Sequence, residues 1–182
     1  DDRLKSAKGV QLLVLHQLGS HGPSYFRRYP AAFARFKPAC EKDDLQQCSR
    51  EEIVNAYDNT IAYTDWFLAQ VIDLLDASDR VIPAMYYVSD HGESLGEGGL
   101  YLHGTPYFMA PEYQTRVPMV LWMSGRFRDS LALDQDCLKA AAEAPVSHDN
   151  MFSTVLGMVD VTTTARDQAL DLAGACRQAV TG

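Results

Sequence analysis

The chain has 182 residues, of which 47% are hydrophobic and 22% charged, as expected of one globular domain with a substantial core. Its 24 acidic and 16 basic residues give a formal net charge of −8, so the surface as a whole should repel nucleic acid and anionic membranes. The apolar runs are far shorter than the roughly 20 residues that span a bilayer, so no membrane-spanning segment is predicted.

The first half of the chain predicts one strand and one long helix. The aliphatic run VQLLVLHQL at 10–18 is typical of a buried strand that ends in the loop GSHGP. His21 would then lie just beyond the carboxyl end of this strand, and His16 would be a core histidine. Ser49 and Glu52 have capping-box spacing before a segment of helical periodicity, which predicts a helix from about 50 to 77.

The second half predicts two further strands, VIPAMYYVSD at 81–90 and TRVPMVLWMSG at 115–125. Ser147 is the predicted N-cap of a helix, and His148 is expected to cap or lie on the surface. The apolar face of that helix is predicted to comprise Met151, Phe152, Val155, Leu156 and Val159. An amphipathic stretch at about 165–178 predicts a last helix. Strands that alternate with helices indicate an α/β fold with a mostly parallel sheet sandwiched by helices.

Four cysteines leave two readings open. Zinc ribbons need C-x-x-C pairs, which are absent, and an even number of cysteines in exposed segments favours two disulfides. Cys40 and Cys48 are the preferred pair, because they lie close together in a polar stretch. The alternative is four free thiols in a reducing cytosol.

The segment VSDHGESLGEGGLYLHG at 88–104 carries the clearest chemistry. In a regular strand, Asp90 and His91 would point to opposite faces. The strand must therefore end there, and Gly92 would let the backbone turn so that both side chains converge. Because ligands of α/β sheets bind at the carboxyl ends of the strands, His21 and His103 are expected near the same edge.

A carboxylate beside an imidazole suits Zn²⁺, which makes Asp90 and His91 candidate metal ligands. His21 and His103 could hold a second metal or donate hydrogen bonds to a phosphate. Taken singly, an Asp-His pair is more often a turn with a capped histidine. The acids Glu93 and Glu97 would on the same reasoning only solubilise the loop.

Taken together, these motifs resemble one family. The segments GSHGPSYFRRYP, YDNTIAYTD, SDHGESLGEGGLYLHG, VPMVLW and SHDNMFSTVLG, with a C-x₇-C pair, follow one another as in the lipid A phosphoethanolamine transferases. These belong to the alkaline phosphatase and sulfatase superfamily and include the mobile colistin-resistance enzymes. The resemblance implies that residues 1–182 form the C-terminal part of a periplasmic, sulfatase-like catalytic domain, which follows an inner-membrane helical domain in that family. The start at Asp1, without a leader, fits a mature or excised segment.

The resemblance also implies an activity. The family uses zinc to move phosphoethanolamine from phosphatidylethanolamine to a threonine and then to a phosphate of lipid A, which gives resistance to polymyxin and colistin. By motif match, Asp90 and His91 resemble zinc ligands, and His21 and His103 resemble histidines that contact the phosphate or a further zinc. The oxidising compartment of the family agrees with a Cys40–Cys48 disulfide.

The sequence departs from the family pattern, and these departures lead to alternative functions. The family's nucleophilic threonine and a further acidic ligand precede the matched motifs, and Thr60, Thr64 and Thr105 lack the nucleophile's context, so the isolated chain is expected to be inactive. The first alternative is a related metal-dependent phosphodiesterase or sulfatase, which is disfavoured because CSREE lacks the C-x-P-x-R pattern of sulfatases. A metal-free binding module is the alternative from another class. Nucleic-acid binding is excluded by charge and by the lack of a basic stripe.

Overall fold

The computed structural model describes residues 2–178. Four strands occur in these residues: β1 (Ala84–Val88), β2 (Ser94–Leu95), β3 (Tyr101–Leu102) and β4 (Met119–Met123). The α-helices there are α1 (Asp2–Ser6), α2 (Arg50–Asp76), α3 (Glu112–Thr115), α4 (Gly125–Ser130), α5 (Gln135–Ala141) and α6 (Asp149–Met158). None of these helices is both long enough and apolar enough to cross a membrane.

The chain divides into two compact units. The central unit comprises Leu15–Leu74 and Tyr86–Val120, and the terminal unit comprises the described parts of Asp1–Val14, Leu75–Met85 and Leu121–Gly182. The core of the central unit contains Tyr25, Cys40, Ile53 and Ala56. The core of the terminal unit contains Met123, Leu133 and Ala173.

Helix α2 confirms the long helix predicted from about 50 to 77. Its capping box is formed as predicted, because the Ser49 N–H donates to Glu52 Oε2 at 2.6 Å and the Glu52 N–H donates to Ser49 Oγ at 3.2 Å. Asn59, which is fully buried in α2, accepts hydrogen bonds from the backbone N–H groups of Arg35 and Phe36. The helix thereby fixes the loop that precedes it.

The α/β class is confirmed, with two small sheets in residues 2–178. β1 pairs with β4 at the two places where strands were predicted. The Ser124 N–H donates to the Pro83 carbonyl, and the Ser89 N–H donates to the Pro118 carbonyl, so the two strands run antiparallel. β2 and β3 form an antiparallel hairpin. The larger, mostly parallel sheet stays a prediction for the complete domain.

The strand predicted at 10–18 was wrong for this structure. The segment is irregular, and its aliphatic side chains are exposed, with Val14 81% and Leu12 62% accessible. A strand is stabilised by hydrogen bonds to a neighbouring strand, and no strand within residues 2–178 pairs with this segment. His16 is exposed as well, so its predicted place in the core was also wrong.

Helix α6 begins at Asp149 with His148 as its N-cap, one residue later than the predicted Ser147 cap. The Ser147 hydroxyl still accepts a hydrogen bond from the Asp149 N–H at 3.2 Å. The predicted apolar face was only partly right, because Met151 and Phe152 are 43% and 58% exposed.

The helix predicted at 165–178 was wrong. Two short 3₁₀ turns, Gln168–Leu170 and Gly174–Cys176, occupy this segment instead. The buried Asp171 carboxylate pairs with Arg166 and accepts the backbone N–H groups of Ala173 and Gly174. These contacts offer the backbone an alternative to helical hydrogen bonds.

Both predicted disulfides are present. Cys40 pairs with Cys48 as predicted, which links residues on either side of the loop before α2. Cys137 of α5 pairs with Cys176, a connection that the sequence left open. All four cysteines are bonded, so the alternative of free thiols is not supported.

Candidate metal and phosphate site

Three histidines from separate segments of the central unit converge. His21 lies in the loop after residues 10–18, His91 follows β1 and His103 follows β3. The ring centroids are 3.9 Å apart for His91 and His103, 4.8 Å for His21 and His103, and 5.7 Å for His21 and His91. This proximity agrees with the expectation that the three side chains lie near one edge. We call them the histidine cluster.

Each ring of the histidine cluster has its Nδ1 beside an oxygen. His21 Nδ1 lies 2.7 Å from the Gly22 carbonyl, and His91 Nδ1 lies 2.9 Å from the Gly92 carbonyl. His103 Nδ1 lies 3.1 Å from Glu93 Oε1. Since a carbonyl or carboxylate oxygen can only accept, we assign the ring proton to Nδ1 in each case. The three Nε2 lone pairs are then left for a ligand.

The donor set fits a metal ion. One ring nitrogen from each histidine lies within 4.8 Å of the others. Two nitrogens on one tetrahedral zinc would be about 3.3 Å apart, since Zn–N distances are about 2.0–2.1 Å. A modest rotation of these partly exposed rings would therefore suffice for one Zn²⁺ to bind. Neutral imidazoles with Nδ1 held by a second group are the usual arrangement at zinc sites.

Asp90, predicted as a metal ligand beside His91, lies outside the histidine cluster. Its side chain is 86% exposed, and its Oδ1 is 4.0 Å from His91 Nε2. The same oxygen accepts a hydrogen bond from the His91 N–H at 3.1 Å. The carboxylate is thus next to the cluster and free to rotate toward it, and its role as a ligand stays a prediction.

Glu93 is the residue that the sequence interpretation placed wrongly. Its side chain is only 3% exposed, so it does not solubilise the loop. Oε1 accepts from the Gly22 N–H at 3.2 Å and faces His103 Nδ1 at 3.1 Å, and Oε2 accepts from the Tyr25 hydroxyl at 3.1 Å. One carboxylate therefore ties the His21 loop to His103. By contrast, Glu97 accepts from the Leu95 N–H and pairs with Arg50, away from the cluster.

The hydroxyl of Tyr25 completes this arrangement. Burial raises the pKa of Tyr25, and the charge and hydrogen bond of Glu93 raise it further. The hydroxyl therefore stays protonated and donates to Glu93 over the physiological pH range.

Two glycines are required by close packing at the site. A Cβ on Gly92 would lie 2.1 Å from the Tyr113 carbonyl oxygen, and one on Gly22 would lie 2.5 Å from a methyl of Leu102. Gly92 was predicted to serve the turn after Asp90, and the structure gives a different reason. The Gly92 N–H donates to the Gln114 carbonyl at 2.9 Å, so the two segments approach too closely for a side chain.

The fold and the comparisons define the class of protein. The sulfatase family profile matches residues 2–161, which is most of the chain. The chain therefore belongs to the sulfatase family.

The relatives narrow this class. The chain is 44% identical over 180 residues to the phosphoethanolamine transferase EptA of Salmonella typhimurium, which covers 98% of the chain and 33% of that protein. It superimposes with a TM-score of 0.86 and 46% identity on the soluble domain of lipooligosaccharide phosphoethanolamine transferase A from Neisseria meningitidis, covering 89% of the chain and 49% of that domain.

A second solved structure is also that of a phosphoethanolamine transferase domain. The C-terminal periplasmic domain of phosphoethanolamine transferase EptC from Campylobacter jejuni matches with a TM-score of 0.88 and 40% identity, over 98% of the chain and 56% of that domain. The resemblance to phosphoethanolamine transferases is thus confirmed. The chain spans about a third of the length of the curated relatives it matches.

Proposed function

We propose that the chain is part of a zinc-dependent enzyme that transfers phosphoethanolamine from phosphatidylethanolamine to a phosphate of lipid A. The observation that carries the proposal is the histidine cluster, with a ring nitrogen of each member within 4.8 Å of the others. Identity of 40% or more to named phosphoethanolamine transferases along nearly the whole chain supports the reaction class. The proposed place of action is the periplasmic face of the inner membrane, with a membrane domain elsewhere in the parent protein.

The residues have separate roles in this proposal. Asp90 and His91 would bind Zn²⁺, which would screen the phosphoryl oxygens and lower the pKa of an attacking hydroxyl. His21 and His103 would hold a further zinc ion through Nε2, or would bind the transferred phosphate and give a proton to the leaving oxygen when Nε2 carries a proton. The resemblance assigns the nucleophile to a threonine that precedes the matched motifs. The chain therefore supplies binding and proton transfer, and the complete protein supplies the nucleophile.

Charge supports these roles. The chain has a net charge of −8, yet the reaction needs an anionic phosphate at the site. One or more zinc ions held at the histidine cluster would give a local positive field at that point. The same site is expected to give resistance to colistin, because added phosphoethanolamine lowers the negative charge of lipid A.

The test is transfer by the full-length parent from a fluorescent phosphatidylethanolamine to lipid A, with a chelator and with zinc restored. His103→Ala and His21→Ala should each lower the rate about 100-fold if they act as acid or base. His16→Ala is the matched control, since this histidine is exposed and outside the histidine cluster. Unchanged rates in both cluster variants would remove these residues from the mechanism.

The alternative is a related metal-dependent phosphodiesterase or sulfatase on the same site. The observation that supports this alternative is the match of residues 2–161 to the sulfatase family. Release of nitrophenol from an aryl sulfate by the parent protein, without transfer to lipid A, would favour this alternative.

A further inference from the structure

A cavity of about 330 Å³ opens in the central unit beside the loop that carries His21. Its lining combines an apolar wall with polar groups. The residues that matter are Leu18, Arg27, Arg28, Tyr63, Thr64 and Phe67. A cavity of this size can hold a phosphate group together with part of the molecule that carries it.

Arg28 connects this cavity with the histidine cluster. Its Nε donates to the backbone carbonyl of His21 at 3.0 Å, which fixes the direction of the guanidinium. Within residues 2–178, neither of its Nη groups has a hydrogen-bond or ion-pair partner. Its neighbour Arg27 differs, since its Nη2 lies 2.7 Å from Asp43 Oδ2. Arg28 is therefore the cavity arginine whose charge no acid of the described chain neutralises.

Thr64 adds a second donor to the same cavity. It is only 9% exposed, and its hydroxyl has no hydrogen-bond partner in the described part of the chain. The buried side-chain polar atoms without a partner in the described residues are Arg166 Nε and Arg177 Nε, so the Thr64 hydroxyl is open to the cavity and can donate to an oxygen bound there. A half-buried guanidinium and a hydroxyl in one cavity are suited to a phosphate, because the planar fork of arginine matches two phosphate oxygens.

We propose that this cavity is a phosphate subsite in which Arg28 and Thr64 hold a phosphate group of a substrate next to the histidine cluster. The proposal rests on the proposed transfer function and specifies how that site takes up its substrate. The phosphate could be the diester of the donor headgroup or the monoester of the acceptor. The apolar wall formed by Tyr63 and Phe67 would pack against the organic part of either molecule.

The first experiment is calorimetric titration of the parent protein with inorganic phosphate, in chelator so that no metal contributes. Arg28→Gln should raise the Kd for phosphate about tenfold or more, because a charge-assisted hydrogen bond is lost. Arg28→Lys should have a Kd for phosphate between those of the wild type and Arg28→Gln, since lysine keeps the positive charge but lacks the two-pronged guanidinium. Arg116→Gln is the matched control, because it removes one positive charge from an 86% exposed side chain of the same unit.

Circular dichroism and thermal unfolding must show that each variant folds. If Arg28→Gln does not fold, Thr64→Val serves in its place and should raise the Kd about threefold to tenfold. A folded Arg28→Gln protein with the Kd of the wild type would overturn the subsite.

Displacement of phosphate distinguishes the two substrates. Glucosamine 1-phosphate stands for the acceptor and glycerophosphoethanolamine for the donor, and displacement that depends on Arg28 by either supports the subsite. Displacement by neither would overturn it. The transfer assay separates this proposal from the proposed function. Transfer that is insensitive to Arg28→Gln would refute the subsite alone. Phosphate binding that depends on Arg28, without any transfer to lipid A, would refute the proposed function alone.

Discussion

Replacing Glu93 tests whether a buried carboxylate holds the site together. Glu93→Ala removes the acceptor of the Gly22 N–H and of the hydroxyl of Tyr25, which is 1% exposed. A buried donor without an acceptor costs about 1–3 kcal/mol, so two such donors cost about 4 kcal/mol. At about 2–4 °C per kcal/mol for a chain of this size, the Tm should fall by about 8 to 16 °C.

The variant should also weaken metal binding. Glu93 holds Nδ1 of His103, and loss of such a partner lowers metal affinity about 10-fold to 100-fold. Glu93→Gln separates the two effects, because its amide oxygen can still accept while its charge is gone. We expect a loss of stability under about 1.5 kcal/mol for Glu93→Gln, with a clear loss of zinc affinity.

The assays are differential scanning calorimetry and zinc competition with a chromophoric chelator. Glu112→Ala is the control, since this carboxylate is 70% exposed and its ion pair with Arg116 is 4.0 Å long. It should change the free energy of unfolding by less than about 0.5 kcal/mol. The reasoning would be refuted by a Glu93→Ala protein that unfolds within about 1 °C of the wild type and binds zinc equally well.

Three further predictions concern stability. Removing the Cys137–Cys176 disulfide, which spans 39 residues, should cost about 4 kcal/mol in urea denaturation, more than losing the shorter disulfide; the reverse order would contradict the loop-entropy argument. Gly92→Ala should cost about 2–3 kcal/mol because its Cβ meets the Tyr113 carbonyl, and thermal unfolding like that of the wild type would show that the segments can separate. Burial raises the pKa of Tyr25 above its ordinary 10.0, so the contribution of Tyr25 to the free energy of unfolding should be fully present below that pH and fall above it as the tyrosine of the unfolded chain ionises. Tyr25→Phe should reduce that fall. If the free energy of unfolding of the variant has the same pH dependence as that of the wild type, Tyr25 does not cause the fall.

The convergence of the three histidines could be predicted from sequence because each follows an apolar or glycine-rich segment that ends at the site. His91 and His103 do follow β1 and β3. The burial of Glu93 could not be predicted, because an acid in a glycine-rich loop usually faces solvent. Its environment depends on Gly22 and Tyr25, which are 71 and 68 residues away in sequence. One local signal was present: Glu93 lies two residues after His91, within the same turn.

The segment at 10–18 shows that strand propensity alone does not predict whether a strand forms. Its aliphatic composition is that of a buried strand, yet the structure leaves it irregular and exposed. Sequence pattern reports which side chains need burial, whereas pairing depends on a neighbour that the pattern cannot supply. The same segment could therefore become a strand when another strand lies beside it, and its composition would then be explained.

In the terminal unit, the sequence prediction failed in the opposite direction, because polar residues form the buried face of helix α6. Ser153 and Thr154 of α6 are 2% and 0% exposed, and Gly157 packs beside the Asp171 carboxylate. Ser153 Oγ accepts from the Asp167 N–H, and Thr154 Oγ1 accepts from the Leu172 N–H. Because the irregular segment after α6 has backbone donors that need acceptors, hydroxyl groups are the favoured residues on that face. A search for apolar periodicity selects the other side of such a helix, which is why Met151 and Phe152 were misplaced.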